Sequence, residues 1–140
     1  MPHLLRNSPD LTYQGFDAAS SVIEKLQSDT NIADLRSRVS FAAADLALTS
    51  LPTGKDLIFS RDALQHLSLP LVLNVLRTFK AAGSVWLLVG SYAKRWSNVL
   101  IETGDYFPIN LAAPPFVLLP SHIHSEGPNV DPNDLDYKHM

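Results

Sequence analysis

Apolar residues in this chain come in short blocks separated by abrupt polar changes. In residues 55–67, KDLIFSRDALQHL, the run Leu57, Ile58, Phe59 is unbroken and too short for a helix. That is the pattern of a strand buried on both faces of a parallel sheet. Polarity switches at Ser60, Arg61 and Asp62, where the strand would end, and residues 63–67 have the composition of a short helical turn. Residues 85–89 (VWLLV) repeat the buried-strand pattern. Residues 11–16 alternate β-formers with small or polar side chains and close on Gly15-Phe16-Asp17, and VSFAAA at 39–44 closes on Asp45. Both read as strands ending at an acid.

Between these blocks the period changes. Ser20 and Ser21 are candidate helix caps, Glu24 completes a capping-box spacing, and Val22, Ile23 and Leu26 define an amphipathic face. Residues 31–38 continue as helix or turn with Ile32 and Leu35 inward. Pro70 suits a first helical turn, and Leu71, Val72, Val75, Leu76 and Phe79 repeat at helical spacing until Gly83. Residues 1–9 read as a helix stub stopped by Pro9. We therefore expect strands near 11–16, 39–44, 56–60 and 85–90 and helices near 19–28 and 70–82. This is an α/β class with a mostly parallel sheet and flanking helices.

After residue 90 the pattern dissolves. Six of the ten prolines lie beyond residue 107, so GDYFPINLAAPPFVLLP reads as a long loop with one or two extended pieces. Residues 1–120 are expected to form one α/β domain and residues 121–140 a disordered acidic tail. That tail holds Glu126, Asp131, Asp134 and Asp136 against Lys138, which accounts for the whole net charge of −3.

Composition narrows the chemistry. With 140 residues, 46% hydrophobic and 18% charged, the chain can bury a modest single core. Without cysteine it has no disulfides, thiolate ligands or thiol nucleophiles. This fits a reducing, intracellular, cytoplasmic location. No apolar run is long enough to span a bilayer, the first ten residues lack signal-peptide order, and no basic surface marks a nucleic-acid partner.

The strand-end residues carry the candidate chemistry. Asp17 either accepts two hydrogen bonds from a ribose diol or caps the following helix. Asp45 is either a ligand contact or a turn residue. His66 is either a base, since imidazole exchanges protons near neutrality, or a packing residue beside Leu64 and Leu67. The rigid segment 104–116 is either a substrate wall or the cover of a sheet edge. His122 and His124 lie on one strand face, but no third metal ligand accompanies them.

The strand running into "RD-x-LQHL" resembles the fourth-strand motif of class I S-adenosylmethionine-dependent methyltransferases, and "GFDAASSVIEKL" resembles their ribose-binding motif. "GDY-x-PINL-x-x-PPF" beside "RD-x-LQHL" resembles a group of methyltransferase-like proteins. The resemblance covers roughly residues 11–119 and implies a truncated Rossmann-like fold with S-adenosylmethionine as cofactor. It implies that Asp17 binds the ribose and Asp45 the adenine amino group, with Leu46 packing near the ring. Ser60 and Arg61 would face the methionine end, and Asp62 and His66 the methyl acceptor as catalytic residues. The family's first strand and glycine-rich loop have no counterpart, because no G-x-G-x-G occurs in the chain. The resemblance therefore implies impaired or absent activity for this chain by itself, with self-association through uncovered sheet. The alternative is a non-enzymatic interaction module using an exposed sheet edge.

Overall fold

A computed structural model describes residues 2–124. Of the expected tail, residues 125–140 lie outside the described residues, and residues 121–124 are irregular and exposed. The chain divides between Thr49 and Ser50 into two compact units. Each unit contains one pair of parallel strands.

The first unit holds α1 (Pro2–Asn7), β1 (Tyr13–Asp17), α2 (Ser20–Ser28), a 3-10 helix (Thr30–Leu35) and β2 (Val39–Ala43). β1 and β2 pair in parallel, with Tyr13 opposite Val39 and Asp17 opposite Ala43. The expected helix stub is an integrated element: Leu5 is buried with Ile32 and Leu35, and Tyr13, Val39 and Phe41 pack on this cluster. Arg38 Nη1 lies within 3.2 Å of four carbonyl oxygens, those of Leu5, Ser8, Pro9 and Leu11. It thereby gathers carbonyls of the short helix and the following turn, among them that of Ser8, which also accepts the Leu11 N–H at 3.1 Å. Gly15 is buried because the Phe41 and Tyr13 rings fold over it. A Cβ there would stand 2.8 Å from the Phe41 ring.

Arg6 forms a two-pronged pair with Asp34, Nε to Oδ2 and Nη2 to Oδ1, both at 3.0 Å. The hydrogen bonds from Arg6 hold the Asp34 carboxyl below the usual aspartate range. A carboxyl depressed in the folded state stabilises the fold above its unfolded pKa, and that stabilisation is lost as pH falls through the lower folded value. The pair is exposed, so the effect is small. Acid titration of the unfolding midpoint should show a drop below about pH 4 that Asp34→Asn removes. An identical acid limb in that variant would sink the assignment.

The second unit holds β3 (Leu57–Ser60), a 3-10 turn (Leu64–His66), α3 (Leu69–Ala82) and β4 (Trp86–Val89). β3 and β4 are parallel, with Leu57 opposite Trp86 and Ser60 opposite Val89. Pro70 sits in the first turn of α3, and Gly83 ends the helix in the left-handed conformation at φ 68°, where glycine avoids a Cβ clash. Val72, Val75, Phe79 and Ala82 form its buried face. Burial of an aliphatic or aromatic side chain of this kind contributes about 1.5–3 kcal/mol.

Three expectations are corrected. The capping box does not form: α2 begins after Ala19, which makes no side-chain cap bond. Asp17 Oδ1 accepts the Ala19 N–H instead, at 2.8 Å. The α/β class and parallel pairing are as the pattern predicts, but the strands form two separate pairs rather than one sheet. Finally, β3 and β4 are not buried on both faces. Leu57, Phe59, Trp86 and Leu88 share one face through the register and are 51%, 45%, 58% and 37% exposed. An apolar run reports that a strand could be covered, and a two-stranded sheet leaves this face without cover.

The core of the second unit draws instead on the proline-rich stretch. Tyr92, Ile109, Leu111, Ala113 and Phe116 are buried, although residues 92–124 form neither helix nor strand.

Candidate functional site

In the first unit, parallel pairing brings the carboxyl ends of β1 and β2 to the same end of the sheet. Asp17 is the last residue of β1, and the Ala44 N–H donates to its carbonyl at 2.9 Å. Its Oδ1 is engaged by Ala19, and its exposed side chain makes no other hydrogen bond among the described residues. Asp45 lies two residues beyond β2. Its Oδ1 accepts the Ala47 N–H at 2.9 Å and its carbonyl accepts from Leu48 and Thr49. This is an Asx-type turn. Leu46 beside it is half-buried. Both acids therefore have structural partners and also stand at the solvent end of the strand pair.

In the second unit, Ser60 ends β3 and its carbonyl accepts the Gly90 N–H at 3.1 Å. The chain then turns at Asp62, whose φ of 55° is in the left-handed region, where aspartate is among the better-tolerated residues. Arg61 Nε is 3.3 Å from Asp62 Oδ2, and Asp62 Oδ1 accepts from Nε2 of buried Gln65 at 3.1 Å. The turn thus aims two opposite charges outward while Leu64 and Gln65 anchor it.

Residues 103–107 lie along this turn. Gly104 N–H donates to the His66 carbonyl and Phe107 N–H to the Gln65 carbonyl, both at 2.9 Å. Thr103 Oγ1 accepts the Ser68 N–H at 3.3 Å. The His66 ring lies 5.5 Å from the Tyr106 ring, and the Tyr106 hydroxyl donates to that of Tyr92 at 3.2 Å. The two segments singled out as companion motifs are thus laid directly against each other.

His66 Nδ1 is 3.0 Å from the Asp105 carbonyl oxygen. A carbonyl only accepts, so Nδ1 carries a proton, and in the neutral form of the ring the lone pair is on Nε2. An exposed imidazole held in one tautomer and braced by an aromatic ring can take a proton from a bound molecule.

Asn98 was not evident from the sequence, and Asn110 only as part of the segment 104–116. Asn98 brackets the backbone of Asn110: Oδ1 accepts the Asn110 N–H and Nδ2 donates to the Asn110 carbonyl, both at 2.8 Å. Asn98 Nδ2 also donates to the Pro114 carbonyl at 2.8 Å. Asn98 stands ahead of Pro108, the first proline of the proline-rich stretch, and no spacing or motif marks it.

Among the described residues no group of three or more histidines, cysteines or acids could hold a metal ion, and His122 lies near the Trp86 ring. Nor is any helix among them long and apolar enough to cross a membrane. No protein-family model matches the chain, and no curated protein matches it either.

Proposed function

We propose that the chain is a methyltransferase-like domain of the S-adenosylmethionine-dependent class, Rossmann-like in type and cytoplasmic, with impaired or no activity by itself. The observation that carries the reading is the parallel register of β1 and β2, which sets Asp17 and Asp45 at one end of the same strand pair. Ligands of open α/β sheets bind at carboxyl ends of strands. On this reading Asp17 accepts the ribose hydroxyls and Asp45 the adenine amino group, and Leu46 packs near the base.

The residues fit the nucleoside part of the cofactor in their chemistry: two exposed carboxylates, one followed directly by a half-buried leucine, suit a diol and an amino group. They do not fit the methionine carboxylate, for which the chain has no glycine-rich cradle. The cofactor when bound would supply an electrophilic methyl group. For its part, the chain would orient the acceptor between Asp62 and His66 and take the acceptor's proton at His66 Nε2, with 103–107 closing one side. Isothermal titration with S-adenosylmethionine tests the reading.

A second reading, a non-enzymatic interaction module, is favoured by the uncovered apolar face of β3 and β4. With a second copy as occupant, sedimentation should show mass rising over a roughly hundredfold range of concentration. Trp86→Glu should abolish the rise. A concentration-independent monomer would overturn this reading.

A further inference from the structure

Three side chains hold α1 in the first unit. Leu5 enters the cluster with Ile32 and Leu35, and Arg6 forms the two-pronged pair with Asp34. Arg38, just ahead of β2, reaches back to the carbonyls of Leu5, Ser8, Pro9 and Leu11. Ser8 stands in the middle of this arrangement, directly after the last residue of α1. Its carbonyl accepts the Leu11 N–H at 3.1 Å and an Arg38 Nη1 hydrogen at 2.9 Å. Its hydroxyl makes no hydrogen bond among the described residues. Ser8 is half-buried between exposed Asn7 and exposed Pro9, so the fold leaves this hydroxyl unused close to the surface.

Two further features bear on what the hydroxyl can carry. Ser8-Pro9 is the one place in the 140 residues where a serine or threonine is followed directly by proline. Proline fixes φ and lacks an N–H, so the step after Ser8 has a restricted shape and one donor fewer, which an enzyme can read. The second feature is Arg38. Its printed partners on the turn are neutral carbonyl oxygens, and it pairs with no carboxylate among the described residues, although it acts at longer range on Asp34. A guanidinium that already meets the Ser8 carbonyl at 2.9 Å is within reach of a group attached to the Ser8 side chain.

We propose that Ser8 is a phosphorylation site for a serine/threonine kinase that requires proline at the next position, and that Arg38 receives the phosphate. The Ser8 oxygen attacks the γ-phosphorus of a nucleoside triphosphate. The bond from that phosphorus to its bridging oxygen breaks, the nucleoside diphosphate leaves, and the hydroxyl proton passes to the base of the kinase. A phosphoserine brings a charge of about −1.5 to −2 at neutral pH, with strong acceptor oxygens. Charge-assisted bonds of this kind are roughly twice as strong as neutral ones. The guanidinium therefore exchanges carbonyls for phosphate, and the hold on the end of α1 changes with the modification. The assignment is independent of the methyltransferase reading, since it uses none of the residues assigned to S-adenosylmethionine.

The test incubates the full chain with a proline-directed kinase and magnesium ATP and reads the product by intact mass and phosphorus NMR. A single phosphate should be incorporated. Ser8→Ala, which removes a hydroxyl without a partner, should abolish incorporation at an unchanged unfolding midpoint. In the folded product the phosphate should titrate below about pH 6, where an unpaired phosphoserine does, because the guanidinium favours the dianion. Asp10, exposed two residues along, opposes this shift through solvent, and the direct contact with Arg38 outweighs it. Arg38→Gln should return the titration to about pH 6. Unfolding the phosphorylated chain in urea should do the same, a readout that does not depend on the variant folding. No incorporation, incorporation that survives Ser8→Ala, or a folded-state titration equal to that of the unfolded chain would overturn the proposal.

Discussion

Replacing Asn110 with alanine should lower the unfolding free energy by about 2–4 kcal/mol, a large share of the stability of a small domain. The substitution removes the donor to the Ala93 and Arg95 carbonyls and the acceptor for the Ala112 N–H, all from a side chain 6% exposed. A buried backbone group left without a partner costs about 1–3 kcal/mol. Three such groups would sum to more than the figure given, but Ala93 is exposed and Arg95 and Ala112 are half-buried, so water can take over part of the lost bonding. Asn110→Asp should be at least as damaging, since it keeps the acceptor but sets a negative charge against two carbonyl oxygens. Urea unfolding with an unchanged slope measures both variants. A shift below about 0.5 kcal/mol would show that Asn110 does not organise this segment.

Titration of the chain with S-adenosylmethionine should give no saturation below about millimolar. Tight binding needs the ribose held by an acid, the adenine edge satisfied, and the methionine carboxylate received by closely approaching backbone donors. On the proposed reading Asp17 and Asp45 would supply the first two, and their parallel strands keep them at one end of the pair. No segment of the sequence matches the glycine loop that supplies the third. A missing charge-assisted contact forfeits about 1.5–3 kcal/mol, and such a loop makes several. A form extended upstream with a strand and a G-x-G-x-G segment should bind, and Asp17→Ala in that form should abolish most of the affinity. Micromolar binding by the 140-residue chain would overturn the argument from the missing loop.

Much of the local structure was legible from the residues. The four strands form within a few residues of where the apolar blocks place them, and α3 ends at Gly83 because only that residue takes φ 68° without a Cβ clash. Ile32 and Leu35 are buried as their spacing requires. α2 starts within one residue of where the pattern places it, but its capping box does not form: Ser20 and Ser21 carry a capping composition, while Asp17, two residues before Ala19, supplies the bond. A side chain that reaches back to a nearby N–H can be exchanged for another without altering the pattern.

The candidate site was legible as segments but not as an arrangement. Nothing periodic links His66 to Asp105, 39 residues away, or Asn98 to Asn110, yet those contacts set the His66 tautomer and rigidify the proline-rich stretch. The sequence alone determined where strands and helices form, because those depend on neighbours within a few positions and on local φ preferences. Only the tertiary structure decided that the strands form two pairs, that Leu57, Phe59, Trp86 and Leu88 remain exposed, and that residues 92–116 complete the core of the second unit. Burial and long-range hydrogen bonding depend on which distant segments meet, and the pattern of polar and apolar positions along one segment carries no address for its partner.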